Sequence, residues 1–242
     1  MNIKTWRRSF LRKLGYIKIS SPYQIPHAFE AQKKLIKSLN PVIFDVGTHI
    51  GETVASYYKM FPKSTIHCFE PFPASFESLR LRFHQETNIH LNSCALSDEC
   101  GVASFNVNSG KATNSLLDAS KNCEKWVPPG LMLLEEKIQV SSFTLDAYVE
   151  KNQISRIDIL KMDTQGSELK VLRGARELLT KKKIQVIYTE ICFVPLYEQQ
   201  GSFHEISAFL FPLGYQLYDI YNRRYSKNGQ VKWADVIYVQ SA

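Results

Sequence analysis

The feature that most constrains this chain is an alternation beginning at Pro41, in which short apolar runs take turns with amphipathic segments. Val42 to Val46, Thr65 to Glu70, Ile89 to Leu96, Ile157 to Met162 and Ile184 to Glu190 each read as a strand. They are apolar nearly throughout rather than at every second residue, so both faces of their sheet are covered. Helical patterns follow over Glu52 to Met60, Pro73 to Gln85, Glu168 to Leu179 and Phe203 to Leu210. This order of elements predicts an α/β fold, doubly wound around a mostly parallel sheet. Two further runs, Tyr215 to Tyr221 and Asp235 to Val239, flank Asn228-Gly229 and read as a hairpin that adds an antiparallel edge strand.

Residues 101–148 break the rhythm. Val102 to Val107 and Lys137 to Phe143 can pair, and between them lies a polar stretch, Asn108 to Gly130, containing Pro-Pro-Gly. A long insertion in a compact domain is commonly a functional loop, and we expect this one to shape a substrate pocket. Residues 1–40 read as a basic N-terminal arm and lead-in helix, and residues 41–242 as one domain. A chain of 242 residues suffices for one substantial core.

No segment approaches the roughly 20 unbroken apolar residues of a membrane span. In residues 1–18, Trp6, Phe10, Leu11 and Leu14 sit among Arg7, Arg8, Arg12 and Lys13. That pattern suits either a solvated arm or weak contact with an anionic membrane surface. The five cysteines are odd in number and form no C-x-x-C pair, which fits a reducing cytoplasm and argues against zinc. The net charge of +7 comes largely from the arm and Lys181-Lys182-Lys183, so a nucleic-acid partner is not expected.

The chemistry starts at Phe44-Asp45-Val46-Gly47-Thr48-His49-Ile50-Gly51. Ligands of such sheets bind beyond the carboxyl ends of the strands, where strand order reverses. A pyrophosphate needs G-x-G-x-x-G, and here the second glycine position holds His49. Asp45 would repel phosphate but can neutralise an ammonium group. Glu70 ends the second strand about 25 positions later, near the ~20-residue offset at which an acidic residue meets a ribose. A nucleoside carrying an amine and no phosphate fits, as S-adenosylmethionine does.

Three stretches resemble the FkbM family of class I methyltransferases: Phe44 to Gly47 with Ile50-Gly51, Phe69-Glu70-Pro71, and Leu160 to Glu168, continuing through Val171 to Ala175. The resemblance runs from Pro41 to the C-terminus. It implies a Rossmann-like sheet of seven strands with the last antiparallel, S-adenosyl-L-methionine as cofactor, and methyl transfer to a hydroxyl of a sugar, glycan or polyketide-like small molecule. Mapped by position, it implies that Asp45, Gly47, Thr48, His49, Gly51 and Thr53 surround the methionine part. Glu70 would hold the ribose, with Pro71 and Leu96 beside the adenine. Thr48-His49 departs from the Ala and Asn usual in the family.

An alcohol must lose a proton as it is methylated, so a general base is required. Asp163 and Glu190, at strand ends, are the catalytic candidates, with His49 and His204 behind them. Each also has a plainer reading: Asp163 as a helix cap, Glu190 as half of an ion pair. Ser167 or Thr164 can cap the helix at Glu168. Tyr188, Phe193, Tyr197 and Phe203 are expected on the acceptor side, where core packing competes with sugar stacking. The alternatives are a nucleic-acid methyltransferase and a non-catalytic cofactor-binding domain of the same fold.

Overall fold

The computed structural model describes residues 27–241; the amphipathic pattern of residues 1–18 lies outside them. The chain runs α1 (Ala28–Leu35), β1 (Val42–Val46), α2 (Glu52–Met60), β2 (Thr65–Phe69), α3 (Pro73–Phe83), β3 (Ile89–Asn92), β4 (Ala95–Leu96), β5 (Gly101–Asn108) and β6 (Leu134–Phe143). It continues through α4 (Leu145–Lys151), β7 (Ile157–Met162), α5 (Glu168–Arg173), α6 (Arg176–Thr180), β8 (Ile184–Cys192), α7 (Phe203–Leu210), β9 (Tyr215–Tyr225) and β10 (Val231–Gln240). The main sheet has seven strands in the order β3-β2-β1-β7-β8-β10-β9. Contacts β3-β2, β2-β1, β1-β7 and β7-β8 are all parallel.

Strand alternation sorts the core into two layers. Phe44, Val46, Leu160 and Met162 face α4 to α7, against Leu145, Leu172 and Leu210. Ile43, Ile66 and Ile159 face α1 to α3, against Ala28, Val54, Tyr57 and Leu79. Asp45 and Lys161 share the parity of Ile43 and Ile159, so both charged side chains start on the α1–α3 side of the sheet.

Three local expectations are corrected. The antiparallel strand, β10, lies one place in from the edge, paired with β8 on one side and β9 on the other. The reason is composition. Ala234, Val236, Ile237 and Tyr238 of β10 are fully buried, whereas β9 is mostly exposed and takes the edge. The run Ile89 to Leu96 is split: Asn92 turns its side-chain amide onto the Cys68 carbonyl at 3.0 Å, and β4 joins a separate sheet. The helix expected over residues 168–179 is divided at Gly174, where a Cβ would lie 2.0 Å from the Ser97 carbonyl oxygen.

The insertion pairs internally as expected, with Gly101 opposite Ser142 and Phe105 opposite Ile138 in an antiparallel ladder that β4 completes. All five cysteines are free, and Cys68, Cys94, Cys123 and Cys192 are buried. Burial pushes the Cys94 thiol up to about 11. No helix among the described residues is long and apolar enough to cross a membrane.

Candidate cofactor and acceptor site

Strand order reverses between β1 and β7, which leaves a crevice at their carboxyl ends. A cavity of about 280 Å³ occupies it, walled by the ends of β1, β2 and β7 and roofed by the insertion. The turn after β1 forms its floor. Gly47 and Thr48 both donate their N–H to the Phe69 carbonyl, at 3.0 and 3.1 Å. The Thr48 hydroxyl donates to the Asp45 carbonyl at 2.7 Å and accepts from the Phe69 N–H at 3.1 Å. Thr48 therefore borders the cavity with its hydroxyl already committed to joining β1 and β2. Gly47 has φ +75°, and a Cβ there would sit 1.9 Å from the Asp163 carbonyl oxygen. Only glycine allows the turn to lie this close to the end of β7.

His49, also left-handed at φ +52°, donates its backbone N–H to Glu70 Oε2 at 2.7 Å. The Phe72 N–H donates to Glu70 Oε1 at 2.8 Å. Burial raises the pKa of Glu70, and these two backbone donors pull it back. Each oxygen keeps acceptor capacity after its one bond, so the carboxylate can still receive two vicinal hydroxyls. Pro71, Leu96, Ala95 and Phe105 form an apolar wall around it, and Thr53 borders the cavity from α2. A carboxylate with free acceptor capacity beside a glycine turn fits a nucleoside and opposes a phosphate.

Not every expected residue reaches the cavity. Asp45 is fully buried behind the turn, 2.7 Å from Lys161 Nζ, because its strand parity points it under α2. Gly51 serves packing: a Cβ there would lie 2.4 Å from the Phe83 ring, not in the cavity. Glu190 stands behind Gln165 rather than on the wall. His204 is exposed beside Ser202 at the start of α7. Of the four aromatics, Tyr188 lies in the opposite core layer with its hydroxyl on Asp235 at 2.6 Å, and Phe193 packs against Phe203. Tyr197 alone contacts the site loop, through Gln165.

Asp163 does border the cavity, and Gln165 Nε2 donates to its Oδ1 at 2.6 Å. The loop behind it is closed by Glu168, not by a Ser167 or Thr164 cap. Glu168 Oε1 accepts from the Thr164 N–H, the Thr164 hydroxyl and the Gly166 N–H at 2.8, 3.0 and 3.3 Å. Two groups were missed from sequence. Lys161 lines the cavity floor and donates to the Gly47 carbonyl at 2.9 Å. Its signal was a lysine set between Leu160 and Met162 in a buried strand, a position that demands a partner. Gln165 carried no such signal, since its contacts come from β8 and the insertion.

Residues 45–217 match the model of the methyltransferase FkbM domain. The chain belongs to this family. It is 29% identical over 175 residues to the 2-O-methyltransferase NoeI of Sinorhizobium fredii, covering 69% of each chain. It is 28% identical over 188 residues to the 31-O-demethyl-FK506 methyltransferase FkbM of Streptomyces tacrolimicus, covering 70% of each. Among solved structures, the methyltransferase FkbM of Methylobacillus flagellatus superposes with a TM-score of 0.56 at 16% identity. That match covers 88% of this chain and 46% of the other. This FkbM-family chain is thus a methyltransferase with a Rossmann-like class I fold, and S-adenosylmethionine is its methyl donor.

Proposed function

We propose that this FkbM-family enzyme methylates a hydroxyl of a sugar, glycan or polyketide-like acceptor, with Asp163 as the proton acceptor. The observation that carries the reading is the state of the two inner carboxylates. Glu70 has a backbone donor on each oxygen, whereas Asp163 is held at Oδ1 alone and has Oδ2 without a hydrogen bond among the described residues. When bound, S-adenosylmethionine supplies an electrophilic methyl group on a sulfonium. Gly47 admits the ligand backbone-close, Glu70 receives the ribose hydroxyls, and Asp163 Oδ2 receives the acceptor's proton. Much of the rate then comes from holding the reacting atoms in line.

The acceptor end is built by the insertion, as Lys111, Ala112, Asn114 and Leu116 form the outer wall. The Lys111 ammonium is held by Glu135 and the Asn108 carbonyl, and the Asn114 oxygen by the Asn108 N–H. This wall thus sets fixed polar groups beside apolar surface, a lining that suits a polyhydroxylated molecule. One relative above is named as a 2-O-methyltransferase and the other as a methyltransferase of 31-O-demethyl-FK506, which supports oxygen as the accepting atom.

The test is formation of S-adenosylhomocysteine from S-adenosylmethionine across a panel of sugars, oligosaccharides, macrolides and RNA. Turnover on a hydroxylated small molecule, lost in Asp163→Asn with cofactor binding intact, is expected. Turnover confined to RNA, or an Asp163→Asn enzyme of full activity, refutes the reading.

A further inference from the structure

Gln165 is the point where the base, the strand behind it and the insertion meet. Its Nε2 donates to Asp163 Oδ1 at 2.6 Å and to Glu190 Oε2 at 3.1 Å. Its Oε1 accepts from the Tyr197 hydroxyl at 2.8 Å, and its backbone carbonyl accepts from Ser115 Oγ at 2.8 Å. An amide nitrogen has two N–H donors, and here each goes to a different carboxylate. The amide cannot be reversed without setting its oxygen against both. The backbone sits at φ +54°, a conformation that non-glycine residues hold only where the surroundings impose it.

We propose that Gln165 is the positioning residue of the proton-accepting site: by holding Asp163 and Glu190 on one nitrogen, it fixes Asp163 with Oδ2 toward the cavity. The proposal rests on the reading of Asp163 as the base. Glu190 supplies the rear anchor. The groups acting on it are Asp163 after β7, Asp235 opposite it on β10, Glu168 on α5, Lys161 on β7, and the Tyr197 and Cys192 side chains. Burial first, and then Asp163, raises the Glu190 pKa well above the carboxylate range, and the Gln165 amide opposes the rise.

The experiment needs no acceptor. Infrared spectra of the whole protein are titrated with pH, and the protonated carboxyl band of Glu190 is assigned by its disappearance in Glu190→Gln. Gln165→Met fills the same volume without a donor, and Gln165→Glu is isosteric and puts an acceptor in its place. In both, the Glu190 band is expected to titrate about one pH unit higher, a tenfold change in its ionisation constant. S-adenosylmethionine affinity by calorimetry should stay unchanged in Gln165→Met, which adds no charge to the cavity that Gln165 lines. The isosteric variant keeps the test open if the methionine variant does not fold. With an acceptor in hand, kcat should fall about 10–100-fold, the usual loss for an orienting partner, at constant KM. A Glu190 band that titrates as before in both variants overturns the proposal, as does a loss of cofactor affinity without a shift. Because neither readout uses methyl transfer, failure to find an acceptor cannot be mistaken for either result.

Discussion

Replacing Lys161 by methionine tests the electrostatics of the cavity floor. Lys161 Nζ lies 2.7 Å from Asp45 Oδ1, with side-chain exposures of 7% and 0%. Among the described residues no other donor reaches either carboxylate oxygen of Asp45. Methionine keeps the aliphatic bulk but leaves a buried carboxylate alone and frees the Gly47 carbonyl that the ammonium holds at 2.9 Å. Breaking one side of a buried pair costs about 3–5 kcal/mol. The loss has a pH signature. Burial already raises Asp45 above its ordinary value, and Lys161 is the group that limits the rise. A carboxyl whose folded pKa lies above its unfolded one contributes most below the unfolded value, ~3.9, and that contribution drains away as pH rises through the folded value. Without Lys161 the folded value climbs further. The penalty should therefore be small in acid and reach about 3–5 kcal/mol near pH 7.5. Urea unfolding at several pH values measures it, and Asp45→Asn/Lys161→Met should recover most of the loss at neutral pH. A neutral-pH penalty under about 1 kcal/mol, typical of exposed pairs, would refute the reasoning, as would a double variant no more stable than the single one.

Other consequences follow from the same geometry. Gly47→Ala should lose about 1–2 kcal/mol for the left-handed backbone alone and more from the 1.9 Å overlap with Asp163; calorimetry should find cofactor binding abolished in the fraction that folds. Glu70→Gln sets an amide NH₂ toward one of two backbone donors and should weaken S-adenosylmethionine about 10–100-fold, as expected for a charge-assisted bond worth about 1.5–3 kcal/mol. Glu190→Gln removes a carboxyl whose pKa burial raises well above its ordinary value. Since a raised folded pKa lowers stability as pH climbs, thermal melts should show this variant about 0.5–2 kcal/mol more stable at pH 8, with a smaller gain at pH 5.

The order of apolar runs was enough to specify a doubly wound sheet, because strands covered on both faces leave few other architectures. The Gly47 turn and Glu70 were legible because a glycine after one strand and an acidic residue after the next form a short-range pattern, although the groups that hold them, the Asp163 carbonyl against Gly47 and the His49 N–H on Glu70, come from other strand ends. The same periodicity predicted pairing within the insertion. Tertiary structure decided which residues meet. The position of β10 inside the edge depended on which arm of the hairpin buries more apolar surface. Glu190, expected to end its strand, lies two residues inside β8, and it and Asp45 are turned from the cavity by an intervening amide and by strand parity respectively. Lys161 and Gln165 gain their roles from partners distant in sequence, Gly47 and Glu190 respectively. No local pattern encodes such a pairing, since it exists only once the sheet brings separate strand ends together.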